Sequence, residues 1–546
     1  MAKAAESTAE LSSHPAEDVA ALRASFETGV TRPLRWRRAA LLSLRSLYSE
    51  STAALAKALV EDLGGGEPRL LGEMLGVLNI DMALEQLDGW AADRPAVHEW
   101  ALGRSFVRPE PKGVVLIIGA YNFPVKELLE PLVGALAAGN VALLKPSDRA
   151  PATGALLAVL VRKYLPRDAV RLVQGGAQET AALLTLKFDH IVFTGSARVG
   201  RLVMDGAARH LTPVTLECGG KSPVFVDRSA NIRTAVARML LLKYIVNAGQ
   251  ICIAPDYVLV DHVVVEDFTA ELKRQVEAAL GTTKAEMWHG DTARQIYGRI
   301  LDAKHVERLR AMVCESGGRL VLGRVEDIDE EALFFPPMCI LRPRDGSPLL
   351  TNEVFGPILS IVPVADVEEA LERSHAICRS PLSLYIFAED PAYVQRVLEA
   401  TSSGMVGVND ASGGAFAVNL PFGGVGSSGF GAYGGQFGFE DLSHHRAICV
   451  RSTASFLPRT DLPLPSRGKF PTWMYALMLR VLVTGFAPQR FRPLFRSSVR
   501  VLIAALLWRL VRRPRVAMVA AELLRWLAAA LGGAAQMLET TQQHPG

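Results

Sequence analysis

The sequence predicts an α/β fold of two lobes, with helices ahead of the first lobe and a basic, apolar segment after the second. Three observations carry that reading. After Pro111, short β-branched and apolar runs that end in turn residues alternate with helical stretches, the pattern of parallel strands joined by crossover helices. A second section of the same texture follows Gly219. From Arg451 onward the composition changes abruptly: 14 Lys and Arg stand against 3 Asp and Glu, whereas residues 1–450 carry 45 against 53.

In chain order, Met1 to Ala20 is polar and mildly acidic, without the apolar stretch of a signal peptide or the Arg-rich bias of a transit peptide. The main body is therefore expected in the cytosol. Trp36–Leu47, Thr52–Leu63 and Arg69–Leu87 place apolar residues at helical spacing and read as amphipathic helices. Strands are expected at Gly113–Ile118, Asn140–Lys145, Val170–Gln174, His190–Thr194 and Val214–Glu217. Such an open sheet takes its ligand at the carboxyl ends of the strands. The second section, Gly219 to Val408, has expected strands at Asp256–Val260, Leu359–Val362 and Leu384–Phe387. The glycine-dense run from Phe422 to Gly431 is too loop-like for a helix and is expected to wrap the lobe junction. Pro458 to Pro471 reads as a linker.

With 546 residues, 49% hydrophobic and 21% charged, the chain has enough apolar mass for two to three domains. The acidic body offers no nucleic-acid surface. Six cysteines occur without a C-x-x-C pair, which fits a reducing compartment and argues against a disulfide framework or a zinc site. The adjacent His444 and His445 lack metal-ligand spacing, so no metal is expected.

Four segments carry candidate chemistry. In Asn247-Ala248-Gly249-Gln250-Ile251-Cys252 a lone cysteine follows a glycine turn. The glycine gives the backbone freedom to present the sulfur and leaves the cysteine N–H as a donor. Taken singly, such a cysteine is more often a small core residue. Glu217 ends a strand ahead of Gly219-Gly220, where partial burial would raise its pKa toward that of a general base. Asn122 follows the first strand, and its amide can donate to an oxyanion, with Pro124 stiffening the turn. Lys145 and Asp148 follow the second strand, and Gly195, Ser196, Val199 and Gly200 open a helix after the fourth. A helix N-terminus offers N–H groups and a positive dipole end to a pyrophosphate.

Taken together, these motifs resemble the aldehyde dehydrogenase superfamily, from about Phe26 to Arg451. Thr31-Arg32-Pro33-Leu34, His210–Glu217, Cys252–Tyr257 and Leu420–Gly426 are particularly similar to the class 3, fatty-aldehyde type. The resemblance implies a Rossmann-type NAD-binding lobe over 113–218, with N-terminal helices over 1–97 and a bridging hairpin over 98–112. It implies a catalytic domain over 219–408, a return and bridging segment over 409–451, and a membrane-associating tail over 452–546.

On the same resemblance Cys252 is the nucleophile, Asn122 and the Cys252 N–H hold the oxyanion, and Glu217 activates the hydrolytic water. Lys145 and Asp148 face the adenine ribose, which favours NAD and leaves NADP open. Glu353 and Phe355 position the nicotinamide ribose and ring. Cys218 departs from the usual aliphatic residue and is expected to pack, and the divergent Ala411–Asn419 to shape the substrate entrance.

The tail alternates apolar clusters, such as Val501–Trp508 and Val516–Leu531, with arginines, and no charge-free run reaches the ~18 residues of an outright span. Helices lying in a membrane interface fit this pattern. A span over Val516–Leu538, or packing on a partner subunit, are the alternatives. The expected protein is a homodimer on the cytosolic face of an intracellular membrane, oxidising medium- or long-chain aliphatic aldehydes. The competing readings are the same chemistry on aromatic aldehydes and a membrane-bound NAD-binding protein without turnover.

Overall fold

The computed structural model of the chain describes residues 15–66, 70–96, 103–289, 296–412 and 417–451. The tail expected to meet a membrane lies outside them. Among the described residues no helix is long and apolar enough to cross a membrane.

Five parallel strands form the first sheet in the spatial order Val214–Cys218, His190–Gly195, Val114–Ile118, Val141–Lys145, Val170–Leu172. Numbered along the chain, that is the doubly wound order of dinucleotide-binding sheets, and it reverses between Val114–Ile118 and His190–Gly195. Each strand lies within one or two residues of its expected position. Val114–Ile118 and Val141–Lys145 bury every side chain or nearly so, because helices cover both faces. The two helices expected over Trp36–Leu47 and Thr52–Leu63 are one helix, Leu34–Leu63. Ser49, Glu50 and Ser51 interrupt the apolar pattern but contain neither glycine nor proline to break the backbone.

The second sheet has seven strands: Arg319–Leu322, Met338–Leu341, Ile358–Val364, Tyr257–Asp261, Pro223–Val226, Ser383–Phe387 and Met405–Val408. All are parallel except the edge strand Arg319–Leu322. Alternation splits its side chains cleanly. Val224, Val226, Val258 and Val260 enter one core, while Phe225, Tyr257 and Leu259 enter the other.

A third sheet joins Arg94–Pro95, Gly103–Pro111 and Ser443–Arg451, all antiparallel. The glycine-dense run does approach the sheet edge. Its Gly429–Phe430 pairs antiparallel with Glu217 and Leu216, so the first sheet gains a sixth strand beside Glu217. A Cβ on Gly429 would fall 1.9 Å from the Leu216 carbonyl oxygen, so this pairing requires glycine.

Candidate active site

Cys252 is presented by an unusual run of backbone. The helix Ile232–Leu240 widens into a π-turn at Leu241–Ile245, and then Asn247, Ala248 and Gly249 take φ of 52°, 49° and 72°. Such left-handed residues are strained unless the surroundings hold them. The holding groups are visible. Asn247 Nδ2 donates to the carbonyls of Asn122 and Gln250, both at 3.1 Å. Gln250 Nε2 donates to Arg299 O at 2.8 Å, and its Oε1 accepts from Leu301 N at 3.0 Å. A Cβ on Gly249 would lie 2.5 Å from Lys243 O and 2.7 Å from Gly356 O, both backbone atoms.

The half-buried Cys252 lines a cavity of about 240 Å³ with Leu75, Phe123, Leu242, Val246, Ile251, Ile253, Ile296 and Phe422. Lys126 and Glu127 supply its charged wall. Burial pushes the Cys252 thiol well up, and Glu127, Glu353 and Glu217 push it further, while Lys126 opposes them. Asn122 is buried next to Phe123, and its carbonyl binds the Cys252 loop through Asn247. Glu217 is buried with neither carboxyl oxygen hydrogen-bonded among the described residues. Burial, then Glu127, Asp441 and Glu130, push its carboxyl well above the usual range. Glu217 thus bears on Cys252 electrostatically, and the Asn122 backbone is tied to the loop that presents Cys252.

Glu353 approaches from the second lobe. Its carboxyl oxygens lie 2.2 and 2.4 Å from where a Cβ on Gly219 would be, which explains the glycine two residues after Glu217. One oxygen of Glu353 has no hydrogen-bond partner among the described residues. Burial and Asp256 push this carboxyl up to about 8, against the Gly220 N–H, Lys221 and Arg308. Its segment is anchored by Arg308, which donates to Glu353 O at 3.3 Å and Val354 O at 2.7 Å. The buried Lys221–Asp256 pair, 2.8 Å apart, adds a bond from Val354 N to Asp256. Phe355 sits at φ 46° with its ring edge-on to Tyr121 at 6.0 Å.

The remaining expected residues gather at the carboxyl ends of the first sheet. Lys145 is buried and donates to Pro146 O at 3.0 Å, and burial lowers its ammonium. Asp148 is exposed, with its carboxylate 3.2 Å from the Cβ position of Gly176. Ser196 caps the helix Ala197–Ala208, accepting from Val199 N at 3.4 Å, and Gly200 N donates to Ser196 O at 2.9 Å. The N–H groups of Val199 and Gly200 are therefore engaged inside the helix. Gly200 serves packing, since a Cβ there would stand 3.2 Å from Cys218 Sγ. Cys218 itself is buried, with its thiol pushed up to about 11 by burial and Glu217.

Lys126, Glu127 and Tyr433 were not legible as site residues. Tyr433 OH donates to Glu127 Oε2 at 3.0 Å. The available signal was the Lys126-Glu127 pair, with Glu130 one turn on, at the start of a helix, Lys126–Ala138, that is apolar from Pro131 onward and begins four residues after Asn122. Charges in such a place ordinarily face water.

A doubly wound sheet with Asn122 and Ser196 just past the ends of the two strands at its switch point, joined to a second lobe that presents a cysteine, is the architecture of a dinucleotide-binding enzyme. The comparisons are more specific. The family model described as aldehyde dehydrogenase family matches residues 3–448. The chain is 40% identical over 435 residues to aldehyde dehydrogenase family 3 member A2 of Rattus norvegicus, covering 79% of this chain and 87% of that one. It is 36% identical over 455 residues to the dimeric NADP-preferring aldehyde dehydrogenase of Rattus norvegicus, covering 82% and 97%. A substrate-bound structure of Staphylococcus aureus AldH superposes with a TM-score of 0.78 at 33% identity, over 85% of this chain and 99% of that one. The chain belongs to the aldehyde dehydrogenase family, and it is an NAD(P)-dependent oxidoreductase acting on aldehydes.

Proposed function

We propose that the chain oxidises medium- and long-chain aliphatic aldehydes to carboxylic acids through a covalent intermediate on Cys252. The observation that carries this is a half-buried thiol in an apolar cavity on which the buried carboxyl of Glu217, without a hydrogen-bond partner among the described residues, bears electrostatically. The Cys252 thiolate adds to the aldehyde carbon, and the oxyanion takes hydrogen bonds from the Asn122 amide and the Cys252 N–H. NAD(P)⁺, when bound, supplies the hydride acceptor. Reforming the C=O bond leaves a thioester on Cys252. Glu217 then takes a proton from water as its oxygen adds to the thioester carbon, and the sulfur departs as thiolate.

Glu353, one of whose oxygens has no hydrogen-bond partner among the described residues, suits a ribose hydroxyl, and the positive dipole end of the helix that Ser196 caps suits a pyrophosphate. Asp148, by accepting from the 2′-hydroxyl and repelling a 2′-phosphate, would favour NAD.

The cavity lining supports an aliphatic substrate, since Leu75, Leu242, Val246, Ile251, Ile253 and Ile296 outnumber its aromatic rings. Phe123 and Phe422 favour a second reading, an aromatic aldehyde. Ala417, Val418 and Leu420 border Leu75 and Phe422 in an adjoining cleft, which supports a role for the divergent loop at the entrance. The basic, apolar tail would hold the enzyme on the cytosolic face of an intracellular membrane, and the relative named as dimeric supports a homodimer.

NADH formation across a chain-length series with benzaldehyde alongside tests the substrate. A kcat/KM that rises with chain length and vanishes in Cys252→Ala is expected; a preference for benzaldehyde would keep the chemistry and remove the lipid substrate. Liposome sedimentation with and without residues 452–546 tests the tail, and unchanged binding on deletion would sink the anchor.

A further inference from the structure

Lys126 opens the helix Lys126–Ala138, whose side chains are almost all buried. Its backbone N–H donates to Glu73 Oε2 at 2.7 Å, which fixes where the helix starts. Its side chain, 12% exposed, runs into the wall of the cavity that Cys252 also lines. The ammonium stands 3.5 Å from Glu130 Oε2 and 5.3 Å from the centroid of the Phe422 ring. An ammonium in an apolar cavity is costly unless it is paired, and a ring face adds a cation–π contribution. A buried charge held in this way acts strongly on its neighbours.

We propose that Lys126 is a positioning residue for the reaction: from the wall of the shared cavity its ammonium favours the thiolate form of the Cys252 sulfur, while Glu130 and the Phe422 ring hold the ammonium in place. This rests on the reading of Cys252 as nucleophile.

The groups bearing on Cys252 are Glu127, Glu353 and Glu217, which disfavour the thiolate, and Lys126, which favours it. Burial pushes all three carboxyls up, which weakens their repulsion of the thiolate. Glu127 also accepts from Tyr433. The Tyr433 and Tyr385 hydroxyls near Cys252 are buried and neutral, their pKa values raised by burial. Burial remains the largest influence and raises the thiol; among the charged groups bearing on Cys252, Lys126 alone favours the thiolate, and when the thiol ionises its proton leaves to water.

The test is the pH dependence of iodoacetamide alkylation at Cys252, read by peptide mass spectrometry, with the exposed Cys314 and Cys449 as internal controls. An opposite charge at close range moves a pKa by about 1–3 units. Lys126→Met should therefore raise the Cys252 midpoint and slow alkylation at pH 7.5 by about tenfold or more, with Cys314 and Cys449 unmoved, and Lys126→Arg should restore it. Unfolding cannot imitate this, because an unfolded cysteine titrates lower than the buried one. An unmoved Cys252 midpoint overturns the proposal.

A reciprocal measurement covers the case in which Lys126→Met does not fold. In Cys252→Ala the Lys126 ammonium loses its thiolate partner, so acetic anhydride should acetylate Lys126 with a lower pH midpoint than in wild type. Equal midpoints overturn the proposal. Neither readout needs turnover, so retention of activity by Cys252→Ala would remove the nucleophile reading separately.

Discussion

Asn247 Nδ2 donates to the backbone carbonyl of Asn122 at 3.1 Å, tying the loop that presents Cys252 to the turn that presents Asn122 across 125 positions of sequence. Asn247 also sits at φ 52°, a conformation that asparagine tolerates better than most residues. Asn247→Ala removes the bonds to Asn122 and Gln250 together and leaves two carbonyls in a buried place. A loss of about 1–3 kcal/mol of stability is expected from that count, with a fall in kcat larger than any change in KM. Urea unfolding and steady-state kinetics check both; unchanged kcat would show that the tie does not set the geometry.

Gly249→Ala adds a Cβ at φ 72° against two backbone oxygens 2.5 and 2.7 Å away, neither of which can swing aside. Destabilisation of more than about 2 kcal/mol is expected. Thermal unfolding should show it, and Cys252 should alkylate more like an ordinary thiol in any folded fraction.

Glu217→Gln keeps the shape of a buried side chain and removes the base. The first turnover should proceed and the thioester should then persist, giving a burst of NADH equal to the enzyme and a steady rate lower by on the order of 10²–10⁴-fold. Intact-mass analysis after the burst should find the acyl group on Cys252. In wild type the raised Glu217 pKa means that the carboxylate appears as pH rises, so deacylation should speed up with pH. Absence of a burst in Glu217→Gln would place another base at this step.

Glu353, raised to about 8 from 4.5, binds a proton in the folded chain that the unfolded chain releases. Stability therefore falls as pH rises through the window from about 4.5 to about 8 and levels off beyond it. Glu353→Gln lacks that loss. Its Tm, taken relative to wild type without cofactor, should be higher at pH 8.5 than at pH 5; a difference constant with pH would mean that the carboxyl titrates normally.

Much of this molecule was legible in its local patterns. Parallel strands announce themselves as short apolar runs ending in turns, and His190–Gly195 and Val214–Cys218 lie within a residue of the expected segments. Cys252, Glu217 and Asn122 stand out because glycine, strand ends and proline turns mark where backbone can present a side chain. What only the tertiary structure decided is who meets whom. Gly429 beside Glu217, Glu353 over Gly219 and Tyr433 on Glu127 are contacts between residues 134 to 306 positions apart, which no local period encodes. The same holds for Lys126: its charge is plain in the sequence, but whether it faces water or the cavity depends on how the helix Lys126–Ala138 is buried against distant elements, and that is settled by packing.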